Sequence, residues 1–339
     1  MNESKKRNPS SVDRREFCKR VAIDTALGAG ALAAGFGFKS RGLPVSQDMP
    51  PEVASSEGKS GPAEMNPVSS GPRPLAVAKG DDPSAATEQV IRSLGGISEL
   101  VSRNDRVLIK PNIGWDRRVK FAANTNPDVV ATLARLCLEA GAKKVVVTDS
   151  PCNNPARCFD KSGLKEALAG MDVELLIPTA RDYVDQDLGG EVLKTWPVLK
   201  ALLESDKVIN VPIAKHHSSA VLSLGMKNWY GILGGGKQRG QLHQEMALSI
   251  AELAEYVRPA LTVLDAYRIL FRNGPQGGSL QDTKMLNTIA ASRDPVAVDA
   301  FGTGFFGLKP EEVPYIPIAV EKGLGIADLD SIEIITTGV

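Results

Sequence analysis

The sequence predicts an α/β fold, a mostly parallel sheet covered by helices on both faces. Short aliphatic runs recur from about residue 75 onward, helical patterns stand between them, and the runs are nearly continuous in apolar residues. Strands buried on both faces read this way, and strand, helix, strand order brings them into one sheet.

The strand candidates are Val107–Ile109, Val145–Val147, Val173–Ile177, Val208–Ile209, Leu261–Leu264 and Ile332–Ile335. Between the first two, Asn126 followed by Pro127 marks a helix start, with the amide as cap and the proline at the first helical position. Val129, Val130, Leu133, Leu136, Cys137 and Ala140 then recur at helical spacing, and Gly141 closes the element. Asp294-Pro295 repeats the start signal. Asp299 follows among Val296, Ala297, Val298, Ala300 and Phe301, where a carboxylate needs a partner; a lysine or a histidine of the site is expected.

Polar residues stand where the apolar runs end: Lys110-Pro111-Asn112, Thr148-Asp149-Ser150, Asn210 and Asp265. Open parallel sheets bind ligands beyond the carboxyl ends of their strands, so these residues are expected along one rim. All three histidines fall within residues 207–243, together with Lys215, Lys227, Asn228 and many glycines. Met246, Ile250, Leu253 and Val257 form a helical stripe. Extended back by one turn, it places His243 on the inward face near the positive end of the helix dipole, with a hydrogen-bonded core histidine as the plainer reading.

The N-terminal region reads differently. Arg14-Arg15 precede a weakly apolar run, Val21 to Phe38, which is the pattern of a twin-arginine export signal over residues 1–38. The Gly- and Ala-rich stretch Gly28–Ala33 suits a lipid-facing helix poorly, so export to the periplasm is expected ahead of an uncleaved membrane anchor. Residues 39–74, rich in Pro, Gly, Ser and Glu, form a linker with no apolar period, and the α/β domain occupies 75–339. The expected partners are the twin-arginine translocation machinery, a small anionic ligand and a redox partner. Export of folded proteins by this route favours a bound cofactor.

Lys+Arg and Asp+Glu each number 40, and aromatics make up 5% of residues. This balance gives neither the basic field nor the stacking surface that a nucleic-acid partner needs.

Lys110-Pro111-Asn112, Asn126-Pro127, Thr148-Asp149-Ser150, Val208 to Pro212, Lys215-x-His217, Gly225-Met226-Lys227-Asn228-x-x-Gly231, His243, Asp265, Asn273-Gly274-Pro275-x-Gly277 and Asp294 to Asp299 together resemble the DUF362 family. The resemblance runs from about Leu75 to Val339 and implies no particular reaction. Members of that family often carry an iron-sulfur module. Here Cys18, Cys137, Cys152 and Cys158 lack the closely spaced run that a cubane needs, so no intrinsic cluster is expected. Leu270-Phe271-Arg272 also stands where similar proteins place a glutamate.

Cys152 and Cys158 flank Asn153-Asn154-Pro155, and an oxidising destination favours a disulfide between them over a zinc site. Gly231 to Lys237 has the spacing of a phosphate-binding loop, but Gln238 replaces the hydroxyl residue that holds magnesium, and no buried strand precedes it. Nucleotide hydrolysis is not expected.

What remains is a mixed oxygen and nitrogen site. Asp149, His217, His243 and Asp265 are the candidate ligands of a divalent metal (iron, manganese or zinc). Lys110, Lys215 and Lys227 are candidates to bind an anionic substrate or stabilise developing negative charge. Asn112, Asn210 and Asn228, with Gly231 allowing close approach, are candidates to orient a substrate or cofactor. His217 or His243 serves instead as general base if no metal binds. Two classes of function follow: a metal- or cofactor-dependent enzyme on a small anion, or a non-catalytic ligand-binding or redox-accessory protein.

Overall fold

A computed structural model describes residues 73–339. The twin-arginine segment and the linker up to residue 72 lie outside the described residues.

Twelve strands are described, β1 (Leu75–Lys79), β2 (Arg106–Pro111), β3 (Lys144–Val147), β4 (Val173–Leu175), β5 (Tyr183–Asp187), β6 (Thr195–Leu199), β7 (Lys207–Val211), β8 (Ile213–His217), β9 (Val221–Ser223), β10 (Leu261–Leu270), β11 (Thr283–Ser292) and β12 (Ile334–Gly338). The main sheet has the order β12-β1-β11-β10-β7-β2-β3-β4, with β8 paired to β10 and β9 paired to β8. Parallel pairing joins β10, β7, β2, β3 and β4 in turn, and β1 to β12. Antiparallel pairing confines itself to β11, against β1 and β10, and to the β8–β9 hairpin. β5 and β6 form a separate antiparallel ribbon.

The helices cover both faces, as expected. Successive strand residues point to opposite sides. Ala76, Ala78, Val107, Ile109, Val145 and Val147 therefore pack with α1 (Pro83–Ser93) and α2 (Pro127–Glu139), while Leu75, Val77, Leu108 and Val146 join the core on the other side. That second core holds α6 (Met246–Val257), α7 (Pro295–Thr303) and α8 (Tyr315–Glu321). The short helices α3 (Pro155–Lys161), α4 (Leu164–Ala167) and α5 (Lys200–Leu203) lie in the connections.

Both proline-marked starts hold. Asn126 accepts from the Asp128 amide at 3.0 Å, and Asp294 accepts from the Val296 and Ala297 amides, each at 2.9 Å. Gly141 closes α2 with φ +88°, a conformation that a β-carbon makes costly. The bounds of every expected strand change: the runs at Val107, Val145 and Val208 gain flanking residues, and three others change further. The run starting at Leu261 continues to Leu270 through an irregularity between Ala266 and Arg268, Val173–Ile177 shortens to Val173–Leu175, and the last strand shifts to Ile334–Gly338.

The sheet opens where the site lies. After β7, Pro212 turns the chain into β8, which meets β10 only at Asp265↔Ile213 and Leu270↔Lys215 across a register shift. β8 therefore diverges from the ends of β2 and β3, leaving a cleft at the carboxyl side of the parallel strands.

Candidate functional site

The floor of the cleft is a buried ion pair. Lys110, the penultimate residue of β2, and Asp149, just past β3, meet at 2.7 Å between Nζ and Oδ1. Neighbouring parallel strands bring these ends side by side, as expected. The Ile113 amide donates to the second oxygen of Asp149 at 2.6 Å, and Lys110 also donates to Asn228 Oδ1 and to the Pro111 carbonyl, each at 3.0 Å. Burial lowers the Lys110 pKa, and the Asp149 carboxylate opposes that shift.

Three asparagines knit the layer above. Asn228 Oδ1 accepts from Lys110 Nζ and from Asn112 Nδ2 at 3.0 Å, while its Nδ2 donates to Asn210 Oδ1 at 2.9 Å. Asn112 Oδ1 in turn accepts from Lys215 Nζ at 2.9 Å. Each amide thus has its donor and acceptor ends fixed, which a buried polar network needs in order to be tolerated.

The segment Met226–Ile232 is a 3-10 helix, buried throughout, that delivers Lys227, Asn228, Tyr230 and Gly231 to the cleft. Its start is held by Asp299 of α7, whose oxygens accept from the Gly225 amide at 2.6 Å and the Met226 amide at 3.0 Å. The expectation that Asp299 pairs with a lysine or a histidine is therefore corrected. Two helix-start amides satisfy it, because such amides have no partner within the helix. Burial still pushes its pKa up to about 7.

Gly231 has no room for a side chain, since a β-carbon there would overlap Asp149 Oδ1 and Lys110 Nζ. The Gly231 carbonyl accepts from the Ser150 amide at 2.7 Å, tying this segment to the end of β3.

The cleft itself holds about 60 Å³. Of the residues singled out in the sequence, Asn112, Asp149, Lys215, His217, Lys227, Asn228 and Gly231 line it. Lys110 and Asn210 lie beneath, bonded to Asn228. Two are not brought in. His243 is exposed at the end of the 3-10 helix Gly236–His243, because Glu245, with φ −122° and ψ 54°, breaks the helical path before α6. Asp265 is buried within β10 and accepts from the Asn126 amide at 2.7 Å and the Tyr267 amide at 3.0 Å. It fastens the start of α2 instead, and burial raises its pKa to about 6.

The three cleft-side lysines differ in their partners. Lys110 is paired as above, and Lys215 donates to Asn112 Oδ1 and to the Ala123 carbonyl at 2.7 Å. Burial brings Lys215 down to about 7. Lys227 makes neither a hydrogen bond nor an ion pair among the described residues; its Nζ lies 3.2 Å from the centroid of the Tyr230 ring. Burial drives its pKa well below the usual lysine range, and Arg239, Lys215 and Lys110 add repulsion while Cys152 opposes. A ring face favours the ammonium by about 1–2 kcal/mol, whereas burying an unpaired ion costs several, so burial decides the direction.

His217 Nδ1 accepts from the amides of Ser219 and Ala220, each at 3.1 Å. These bonds assign the neutral ring its proton on Nε2, leaving that edge a donor. Burial, reinforced by Lys227 and Lys215, takes its pKa down to about 3. Accepting at Nε2, whether from a metal or a substrate proton, would require the ring to change tautomer and give up both amides.

Among the described residues no three His, Cys, Asp or Glu side chains converge as a metal site. Asp149 has one oxygen on Lys110 and the other on an amide, so the donor set in the cleft does not fit a resident divalent ion.

Two side chains at or beside the cleft, Arg239 and Tyr183, carry no local signal in the sequence. Arg239 bridges the Tyr230 carbonyl at 2.9 Å and the Ser150 hydroxyl at 3.3 Å, and Tyr183 donates to that hydroxyl at 2.7 Å. Cys152 lines the rim, while Cys158 is buried in α3. Both thiols are free, which corrects the expected disulfide: one faces the cleft and the other the core.

The chain is 30% identical over 250 residues to the thylakoid-associated protein sll1697 of Synechocystis sp., covering 71% of this chain and 75% of the relative. Among solved structures it is similar to the lactate racemase apoprotein from Thermoanaerobacterium thermosaccharolyticum, with 12% identity and a TM-score of 0.42 over 68% of this chain and 56% of that one. Residues 107–304, which carry every side chain of the cleft, match the family described as a domain of unknown function, and the chain belongs to that family, DUF362.

Proposed function

We propose that the protein is an enzyme that binds a small carboxylate-bearing molecule in the Lys215–Lys227 cleft and moves a proton there. The observation that carries this reading is the Lys227 amine, buried at the cleft without a hydrogen-bonding partner among the described residues. Burial lowers the pKa of this amine and so favours the unprotonated form, which is the form that can accept a proton. His217, neutral with Nε2–H, donates to a developing oxyanion without being consumed as an acid. Arg239 and the protonated fraction of Lys215 supply positive charge for the carboxylate. At about 60 Å³ the cleft corresponds to about four to six water positions, which restricts the substrate to a few heavy atoms.

The test is a thermal-shift screen with small carboxylates at neutral pH. Saturable stabilisation that is reduced in Lys227→Met and Arg239→Gln supports the reading; no shift with any carboxylate overturns it. Elemental analysis of the same preparation addresses the metal-dependent alternative, in which Asp149 and His217 would have to exchange their present partners for the ion.

We further propose that the protein is exported through its Arg14-Arg15 segment. Fractionation of cells carrying Arg14→Lys with Arg15→Lys tests this, with retention in the cytoplasm as the expected result. The name of the Synechocystis relative favours a second reading, membrane association, in which the run Val21 to Phe38 is kept as an anchor. Recovery in the membrane pellet selects that reading. No helix among the described residues is long and apolar enough to cross a membrane.

A further inference from the structure

The cleft-side lysines are alike in burial and unlike in engagement. Lys110 is committed to Asp149 and Asn228, and Lys215 to Asn112 and a carbonyl. Among the described residues, Lys227 alone of the three faces the cleft with only an aromatic ring against its nitrogen. A structural lysine at a buried position is expected to be paired, because an unpaired ammonium there is expensive. Lys227 is also held in place from both sides. Asp299 fixes the amides before it, and Asn228 immediately after it is locked in the asparagine network. The fold thus maintains a rigidly placed amine with an available lone pair, beside other cations that disfavour its protonation.

We propose that Lys227 is a nucleophile that forms an imine with the carbonyl carbon of a small 2-oxo acid. This rests on the carboxylate-binding reading of the same cleft and names its substrate class. The Nζ lone pair attacks the carbonyl carbon and a C–N bond forms. The carbonyl electron pair moves onto oxygen, which takes up a proton to give a carbinolamine. The nitrogen, cationic after the attack, gives up one proton to the surrounding bases and so regains its lone pair; the carbinolamine hydroxyl takes up a second proton, the C–O bond breaks, water leaves, and the nitrogen lone pair completes the C=N bond of a protonated imine. No oxidant or reductant is needed. His217 Nε2–H is suited to hydrogen-bond the oxygen as charge develops on it. Lys215, which titrates near neutrality, is suited to supply the proton. Arg239 supplies charge for the carboxylate, and the small cleft excludes long side chains on the oxo acid.

The experiment uses the full chain with pyruvate as probe and sodium borohydride as trap, followed by peptide mapping. The expected result is a reduced pyruvyl adduct concentrated on Lys227, absent when propionate replaces pyruvate and slowed when propionate is added as competitor. Lys227→Arg should lose the adduct while keeping the wild-type circular dichroism. The wild-type mapping stands regardless of how that variant folds. No adduct on Lys227, or label spread evenly over surface lysines, overturns the imine. Thermal stabilisation by both acids without an adduct leaves the carboxylate site standing and removes only the imine; absence of both removes the two readings together.

Discussion

Lys110 Nζ and Asp149 Oδ1 stand 2.7 Å apart beneath the backbone of Gly231, sealed so closely that no side chain fits at position 231. A buried pair is tolerated because each ion has the other and further hydrogen bonds besides. Removing one partner leaves the other charge stranded. Lys110→Met is therefore expected to lower stability by about 3–5 kcal/mol in urea unfolding, and Lys110→Met with Asp149→Asn to recover part of that loss. Gly231→Ala should destabilise by forcing the pair apart although it changes no charge.

The histidine gives the fold an acid sensitivity of defined sign. Folding lowers the His217 pKa from 6.5 to about 3, so between those values the unfolded chain binds more protons than the folded one. Stability from this group is full above about pH 6.5 and falls as the pH drops toward 3. Asp265 and Asp299, raised to about 6 and about 7, act oppositely: their contribution falls as the pH rises from the ordinary aspartate range. The wild-type curve therefore mixes the two. His217→Asn, which retains an acceptor for the Ser219 and Ala220 amides but no titration, should show less acid-side loss than wild type in melts between pH 6.5 and 4. An unchanged difference across that range would contradict the assignment.

Asp299 acts on the cleft at one remove, by holding Gly225 and Met226. Asp299→Ala leaves two buried amides without acceptors, at about 1–3 kcal/mol each. Because those amides precede Lys227, the variant should also show faster labelling of Lys227 by an amine-reactive probe, measured by peptide mapping under conditions where it remains folded.

Local signals in the sequence were readable wherever the structure is locally determined. Asn126-Pro127 and Asp294-Pro295 cap their helices within three residues, and the polar ends of β2, β3 and β7 gather at one rim because parallel strands in register must end together. Long-range geometry was not readable. Asp265 looks like a strand end because apolar residues stop there, yet β10 continues to Leu270, and its carboxylate is taken by the Asn126 amide from a distant part of the chain. His243 matches the α6 stripe only if the helix extends through Glu245, whose backbone is not helical. Arg239 sits in a Gly-rich stretch without periodicity, so nothing local announces that it reaches back to Ser150.

Lys215 should govern how carboxylate binding depends on pH. With its pKa lowered by burial to about 7, its charge disappears as the pH rises through neutrality. Binding that uses this charge weakens by up to about tenfold per pH unit above 7, the limit for one linked proton. Calorimetric titration with propionate at pH 6 and pH 8 should show tighter binding at the lower pH. Lys215→Met should bind more weakly at pH 6 and lose most of the difference.

The two neighbouring thiols should separate cleanly in reactivity. Burial pushes the Cys158 thiol up to about 12, so almost none of it is thiolate near neutral pH, while Cys152 is exposed on the cleft rim. Since the thiolate is the reacting form and access is also required, brief iodoacetamide treatment of the native protein should modify Cys152 and spare Cys158. Both should be modified after unfolding without reductant, because no bond joins them. Carbamidomethylation of Cys152 adds bulk at the mouth of a cleft of about 60 Å³, so the modified protein should lose stabilisation by small carboxylates while its melting temperature without ligand stays close to that of untreated protein. Protein exported natively in which neither thiol reacts before reduction would instead show that the two are joined.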